Sequence, residues 1–242
     1  MFLKKLILKE KSSSDAYVEH LRSIGMKIGE DVKFYAPSAT TIDEQYPWMI
    51  SIGNHVRITK GVVMLTHDYS WSVLKHYEDE TAQKGAIFGA SGHINIGDNV
   101  FIGMNAMIMR NVNIGNNVII GSGSVVTKDC LDNGVYAGNP ARRIMEVKDF
   151  YQKRKEAQLQ EAKALAVGYY ERFNKKPEKE IFHEYFMLFA DEAQVTKSST
   201  FSNKMGKCGN KEDSYRYLID NKPLFKDYDE FLSYCFDETK AE

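Results

Sequence analysis

No run of five or more Lys or Arg interrupts this chain of 242 residues, and its 32 Lys and Arg are balanced by 33 Asp and Glu to a net charge of -1. The electrostatic footprint of a nucleic-acid binder is missing. No apolar stretch approaches the roughly 18 residues that a bilayer span needs, so no membrane-spanning helix is expected. The first residues read M-F-L-K-K-L-I-L and run straight into Lys9, Glu10 and Lys11. With no sustained apolar core and no small-residue cleavage site, they are not expected to act as a secretion signal. Cysteine is scarce: Cys130, Cys208 and Cys235 stand far apart and are odd in number. They form neither a C-x-x-C metal signature nor a disulfide framework, and cytoplasmic localisation is the expectation. What is present, 43% hydrophobic and 27% charged, suits one or two globular domains with a sizeable core.

A repeat dominates the middle. From Ile96 six hexads follow without slippage: I-G-D-N-V-F, I-G-M-N-A-M, I-M-R-N-V-N, I-G-N-N-V-I, I-G-S-G-S-V and V-T-K-D-C-L. The first position is Ile96, Ile102, Ile108, Ile114, Ile120 and Val126; the fifth is always small or β-branched. Upstream the pattern recurs as I-G-E-D-V-K from Ile28, I-G-N-H-V-R from Ile52 and I-T-K-G-V-V from Ile58. Ile28 and Ile52 are four hexads apart, which predicts that the phase holds between them. A six-residue period fits neither a helix nor a simple hairpin. It fits a short parallel strand ending in a tight corner, where Gly and Asn tolerate positive φ. Three such sides make a coil of 18 residues, and stacked coils bury a continuous aliphatic ladder.

The stretches I-G-D-N-V-F-I-G-M-N-A-M-I, I-I-G-S-G-S-V-V-T-K-D and Y-A-G-N-P-A-R-R-I resemble the hexapeptide-repeat acyltransferases, over roughly residues 28 to 145. Within that superfamily the chain is most similar to the maltose/galactoside O-acetyltransferases and their polysaccharide-modifying relatives. The resemblance implies a mainly β protein built on a left-handed parallel β-helix. It also implies acetyl-CoA as co-substrate, no required metal, and a hydroxyl of a sugar or polysaccharide precursor as acceptor. A homotrimer is implied as well. The same fold serves xenobiotic and amino-sugar acetyltransferases, and a non-enzymatic assembly subunit is the alternative outside catalysis. The zinc-binding γ-class carbonic anhydrases share the fold too. They need closely spaced downstream histidines, whereas nothing follows His93 here until His183.

The hexads stop after Met64 and resume near Ile96. A loop of this length inside a compact repeat is usually functional or disordered. His67 stands where it begins, and the resemblance implies that it is the general base, a task suited to a group with an ordinary pKa near 6.5. Asp68 adjoins it, but neighbouring side chains on extended backbone point apart. A backbone carbonyl could orient the ring equally well. The same carry-over implies that Met104 offers its N–H to the thioester oxyanion, a contribution of about 2.7–4 kcal/mol where such a donor is preorganised. Phe101 takes the place usually held by Trp, beside pantetheine, and Ser122 stands where the family has Ala. Gly103 and Gly123 are expected to line the same cofactor groove. Thr127, Lys128, Arg142 and Arg143 match the positions facing the phosphates.

The division expected is a helical cap over 1–27, a β-helix over 28–146 carrying loop 68–93, and a helical, aromatic-rich extension over 147–242. Residues 12 to 24 read as a Ser-capped helix with Tyr17, Leu21 and Ile24 on one face. Beyond Val147, helical spacing runs over 148–173, and a second helix is predicted from Pro177 to near Phe189. A polar Ser/Lys-rich connection is expected over about 191–212, followed by a last helical region around residues 215–234.

Overall fold

The computed structural model describes residues 9–237. The segment weighed above as a secretion signal, and the ends of the expected cap and extension, lie outside the described residues. The chain divides into two compact units, Met1–Phe150 and Tyr151–Glu242.

In the first unit, helix α1 (Ser14–Ser23) starts where the Ser13 side chain accepts from the Ala16 N–H, and it buries Tyr17, Val18 and Leu21. These join one core with the strands that follow. The first coil holds β1 (Lys27–Ile28), β2 (Lys33–Phe34) and β3 (Thr41–Ile42); the second holds β4 (Ile50–Ile52), β5 (Arg57–Ile58) and β6 (Val63–Met64). The third holds β7 (Ile94–Ile96), β8 (Val100–Ile102) and β9 (Met107–Ile108); the fourth holds β10 (Val112–Ile114), β11 (Val118–Ile120) and β12 (Val125–Val126). A closing hairpin, β13 (Gly134–Gly138) and β14 (Ala141–Glu146), follows. The strands stack into three sheets: β1-β4-β7-β10, then β2-β5-β8-β11-β13-β14, then β3-β6-β9-β12. All pairings are parallel except that of β13 with β14. This is a parallel β-helix of three faces.

The hexad rule explains the interior. Ile96 to Val126 at the first positions, and Val100 to Cys130 at the fifth, are all buried. Burying an Ile or Val side chain is worth about 1.5–3 kcal/mol, against about 1 kcal/mol for an ordinary hydrogen bond. The aliphatic ladder therefore carries the stability, and the corners set its geometry. At the corners the left-handed turn belongs to the fourth position: Asn99, Asn105, Asn111 and Asn117 all have φ between 53 and 59°. The repeated second-position glycines serve a different need. A Cβ on Gly103 would sit 2.5 Å from the Ser122 N, and one on Gly97 would sit 2.9 Å from the Gly115 backbone. Coils stack too closely there for any side chain.

The phase expected between Ile28 and Ile52 is corrected by the pairing. Ile28 lies directly beside Ile52, so the first coil takes 24 residues for one turn. Short 3-10 turns, Pro37–Ala39 and Pro47–Met49, swell its corners. The third and fourth coils pair at the regular spacing of 18, as Val100 with Val118. Between the second and third coils the spacing is 44, as Arg57 with Phe101, because the long loop intervenes.

The second unit contains most of α2 (Val147–Phe173), then α3 (Glu192–Lys197), α4 (Ser199–Cys208), α5 (Lys211–Asp220) and α6 (Tyr228–Cys235). Its core gathers Ala162, Phe182, Phe186, Phe189, Phe201 and Phe231. Two expectations fail here. The predicted helix from Pro177 is a pair of 3-10 turns, Lys179–Phe182 and Phe186–Leu188. The Leu188 carbonyl accepts from the Phe225 N–H at 2.9 Å, and tertiary pairing replaces the helical ladder. The polar stretch from 191 is not a connection but two capped helices. Asp191 and Gln194 form a reciprocal capping box, and Ser198 caps α4. The last helical region splits in two at residues 221–227, and Asp227 caps α6.

Candidate active site

The corner between the third and first sheets departs most from the repeat. In the first coil it carries the turn that follows Asp43. In the second coil it carries the long loop, whose base is zipped by Asp68 N–H to Ala90 O (3.1 Å) and Gly92 N–H to Thr66 O (2.8 Å). His67 bridges antiparallel to Ser91 within that zipper. A Cβ on Gly92 would fall 2.0 Å from the Asn111 side chain, so a larger residue there would displace that amide.

His67 is held by a group one coil away. Its Nδ1 lies 2.6 Å from Asp43 Oδ2; the Asp43 side chain is 4% exposed and that of His67 34%. The same carboxylate oxygen accepts from the Thr66 N–H at 3.1 Å and from the Thr66 hydroxyl, while Oδ1 accepts from the Gln45 N–H at 2.9 Å. Burial alone would push the Asp43 carboxyl up. The hydrogen bonds from Thr66, Gln45 and His67 outweigh it and hold the carboxyl below its ordinary range. An ionised carboxylate only accepts, so Nδ1 carries the proton and Nε2 presents its lone pair. Among the described residues nothing bonds to Nε2. Tyr46 packs edge-on against the imidazole, with ring centroids 5.5 Å apart.

Asp68 faces elsewhere. Hydrogen bonds from Ser70 and Arg110 hold its carboxyl at about 2, and Arg110 Nε donates to it at 2.8 Å. The orienting group is thus neither the sequence neighbour nor a backbone carbonyl. Nothing local in the sequence marks Asp43. Its one signal is that it follows Ile42 as Leu65 follows Met64 in the paired coil.

The other candidate residues distribute over three places. Gly103, Met104, Ser122 and Gly123 share the corner between the second and third sheets, where the Gly123 N–H donates to the Met104 O at 2.7 Å. Among the described residues, neither the Met104 nor the Ser122 N–H is taken by another group. Phe101 projects outward from β8 and is 41% exposed. Thr127 and Lys128 are exposed on the same corner as His67, further along the stack. Arg142 and Arg143 lie on β14. Arg143 is engaged by its own chain, bonding the Asp132 and Asn133 carbonyls at 3.2 Å and pairing with Glu146. Among the described residues the Arg142 side chain bonds only the adjacent Ala141 carbonyl, at 2.9 Å. Within one chain the third sheet separates His67, which follows β6, from Met104, which precedes β9.

The repeat itself matches a known family. The model of the family described as bacterial transferase hexapeptide (six repeats) matches residues 93–128. Protein CapG of Staphylococcus aureus is 39% identical over 150 residues, 61% of this chain and 81% of CapG. The chain belongs to the hexapeptide-repeat acyltransferases. A second member, the galactoside O-acetyltransferase of Escherichia coli (strain K12), is 38% identical over 128 residues, 52% of this chain and 58% of that enzyme. Among solved structures, a maltose O-acetyltransferase from Clostridium difficile 630 is 26% identical, with 60% of this chain and 82% of that one covered and a TM-score of 0.39. As an acyltransferase of this family the chain is an enzyme, and among its described residues no helix is long and apolar enough to cross a membrane.

Proposed function

We propose that this acyltransferase moves an acetyl group from acetyl-CoA to a hydroxyl of a sugar or polysaccharide precursor, with His67 as general base. The observation that carries the reading is the Asp43–His67 pair at the mouth of the long loop, with Nδ1 held at 2.6 Å and Nε2 unengaged. Nε2 takes the acceptor's hydroxyl proton as that oxygen bonds to the acyl carbon. The resulting imidazolium, stabilised by Asp43, returns the proton to the departing thiolate. General-base assistance of this kind is worth about 10²–10⁴ in rate. The name of the Escherichia coli relative supports a sugar acceptor.

The residues present suit the acyl donor. Exposed Phe101 offers a flat aromatic surface for pantetheine. The unengaged Met104 N–H suits an oxyanion, and that of Ser122 a neighbouring amide. Among the described residues Lys128 makes no ion pair, so with Arg142 it is the better candidate for the phosphates than Arg143. His67 and Met104 stand on opposite edges of the third sheet, which favours a site completed by a second copy. We therefore assign a left-handed β-helix assembled as a homotrimer, with His67 of one chain facing the Met104 corner of the next. The buried thiols of Cys130 and Cys235 fit a reducing cytoplasm.

The test is release of CoA thiol over a panel of hydroxylated acceptors. His67→Ala should lower turnover by about 10²-fold or more with acetyl-CoA affinity nearly unchanged. Near-normal turnover of the variant would refute the assignment. Co-expressing it with an inactive variant of the Met104 wall should restore part of the activity in mixed trimers; mixed trimers that stay dead would place the site within one chain.

A further inference from the structure

Tryptophan is rare in this chain, with two among 242 residues. Both stand on the two insertions that flank His67: Trp48 on the swollen corner of the first coil, Trp71 on the long loop. Trp71 is tied edge-on to Tyr69, with centroids 4.6 Å apart. Trp48 is 63% exposed. Its ring is 5.7 Å from that of Tyr46 at 67°, and Tyr46 in turn is 5.5 Å from the imidazole of His67 at 82°.

The turn that displays Trp48 is built to be stiff. Pro47 opens it and is buried, the Met49 N–H closes back on the Tyr46 carbonyl at 3.0 Å, and the Ile50 N–H caps it on the Pro47 carbonyl. Ile50 then enters the core with no exposure. A large apolar ring held out on such a turn buries little in its own fold. It does offer a wide π-face beside the proposed base.

We propose that Trp48, braced by Tyr46, is the stacking platform for the pyranose ring of the acceptor. The proposal rests on the reading of His67 as the base and names the ligand class for its acceptor side. One face of a pyranose carries axial C–H bonds and is apolar, with weakly positive hydrogens; the hydroxyls project around the rim. An indole face is the complementary surface, apolar and negative at its centre. A ring lying on Trp48 keeps its rim hydroxyls free, and one of them can point past Tyr46 toward Nε2. Arg110, tethered through Nε to Asp68 on the next coil of the same corner, has its two terminal nitrogens free among the described residues to donate to other rim oxygens. An acyclic acceptor has no flat face to stack and gains nothing from the indole.

The experiment has an equilibrium arm and a kinetic arm, both on the full chain. In the Trp71→Phe protein, Trp48 is the sole indole. A panel of methyl glycopyranosides, added without acetyl-CoA, should shift its fluorescence saturably, and sorbitol should not. No shift with any pyranoside overturns the proposal. In steady state, Trp48→Ala should raise the KM of the preferred pyranoside about tenfold or more, equivalent to about 1.4 kcal/mol. The KM of acetyl-CoA should stay within about twofold, and Trp48→Phe should recover most of the loss. An unchanged acceptor KM, or an equal rise for sorbitol, refutes the platform. A change in association state on sedimentation would assign the indole to a contact between chains, and also refutes it. If His67→Ala proves active, the base assignment fails alone, because the fluorescence arm does not depend on turnover.

Discussion

The third and fourth coils and the first two have the same three faces and unlike corners. From β7 to β12 every turn takes the regular spacing of 18, and the corners repeat one stacking plan: asparagines in the left-handed turn, glycines where coils touch. The first two coils are swollen at the corner that joins the third sheet to the first. The swellings there carry the groups of the proposed acceptor side: Asp43 and Trp48 on one, His67 on the other. Regularity is the mark of scaffold in this molecule, and the proposed base sits where regularity breaks. A strand of two or three residues fixed by neighbours above and below is a rigid base, and a loop grafted onto it inherits that rigidity at its first residue. That is why Thr66 and His67, the last residues tied to the stack, can be held to hydrogen-bonding distance of a carboxylate from another coil.

The largest effect expected in the regular half is on stability alone. Ile102 is fully buried and lies in register between Ile58 and Ile120. Ile102→Ala should destabilise the β-helix by about 2–5 kcal/mol, from lost burial and the cavity left behind. Urea unfolding followed by fluorescence measures it. A loss of turnover with unchanged midpoint would erase the distinction between scaffold and site.

In the swollen half the order should reverse. Asp43→Asn should lower kcat by about 10-fold or more, up to the roughly 10⁴-fold lost when an aspartate that orients a general-base histidine becomes asparagine, with the KM of acetyl-CoA unmoved. It should also reshape the acid limb. A carboxylate held below its ordinary pKa adds stability that is complete above the unfolded value of about 4 and is lost as pH falls through the folded one. The wild type should therefore lose stability below about pH 4 more steeply than Asp43→Asn. Parallel acid limbs would mean that the carboxylate is not engaged as the structure has it.

What could be read from the residues follows the same divide. The hexads fix a period, an inward set and a corner, so the faces and the Ile ladder were legible. They do not count residues in a swollen corner. Ile28 and Ile52 kept hexad phase by coincidence, since their insertions together add six residues to one turn. His67 stood out as the candidate base through its place at the break together with the family resemblance. Asp43 was not, because the contact spans a coil and the corner it occupies matches no hexad. In the second unit the aromatic residues betray a core but not its path. Phe182, Phe186 and Phe189 have helical spacing, yet the chain folds them as 3-10 turns onto Phe231, at 5.0 Å from both Phe182 and Phe189. The helices after residue 191 were written in caps, Asp191 and Ser198, and were hidden by polar composition.

The smallest effect separates the two jobs of a corner asparagine. Asn117 holds φ at 53°, and its side chain links the stack, donating to Asn133 at 2.9 Å and accepting from Asn99 at 2.8 Å. Alanine loses both the linkage and the tolerance of the left-handed turn, which costs a residue with a Cβ about 1–2 kcal/mol. Glycine loses the linkage but accepts the turn. The side-chain bonds are exposed and exchange with water at little net cost. Asn117→Ala should therefore destabilise by about 1–2 kcal/mol and Asn117→Gly by clearly less, with turnover of both near normal. If Gly costs as much as Ala, the ladder of amides and not the backbone turn is what the regular corner requires. The swollen corner has no such ladder at Asp43 or His67 and is held instead by the carboxylate and by the backbone bonds at the base of the loop.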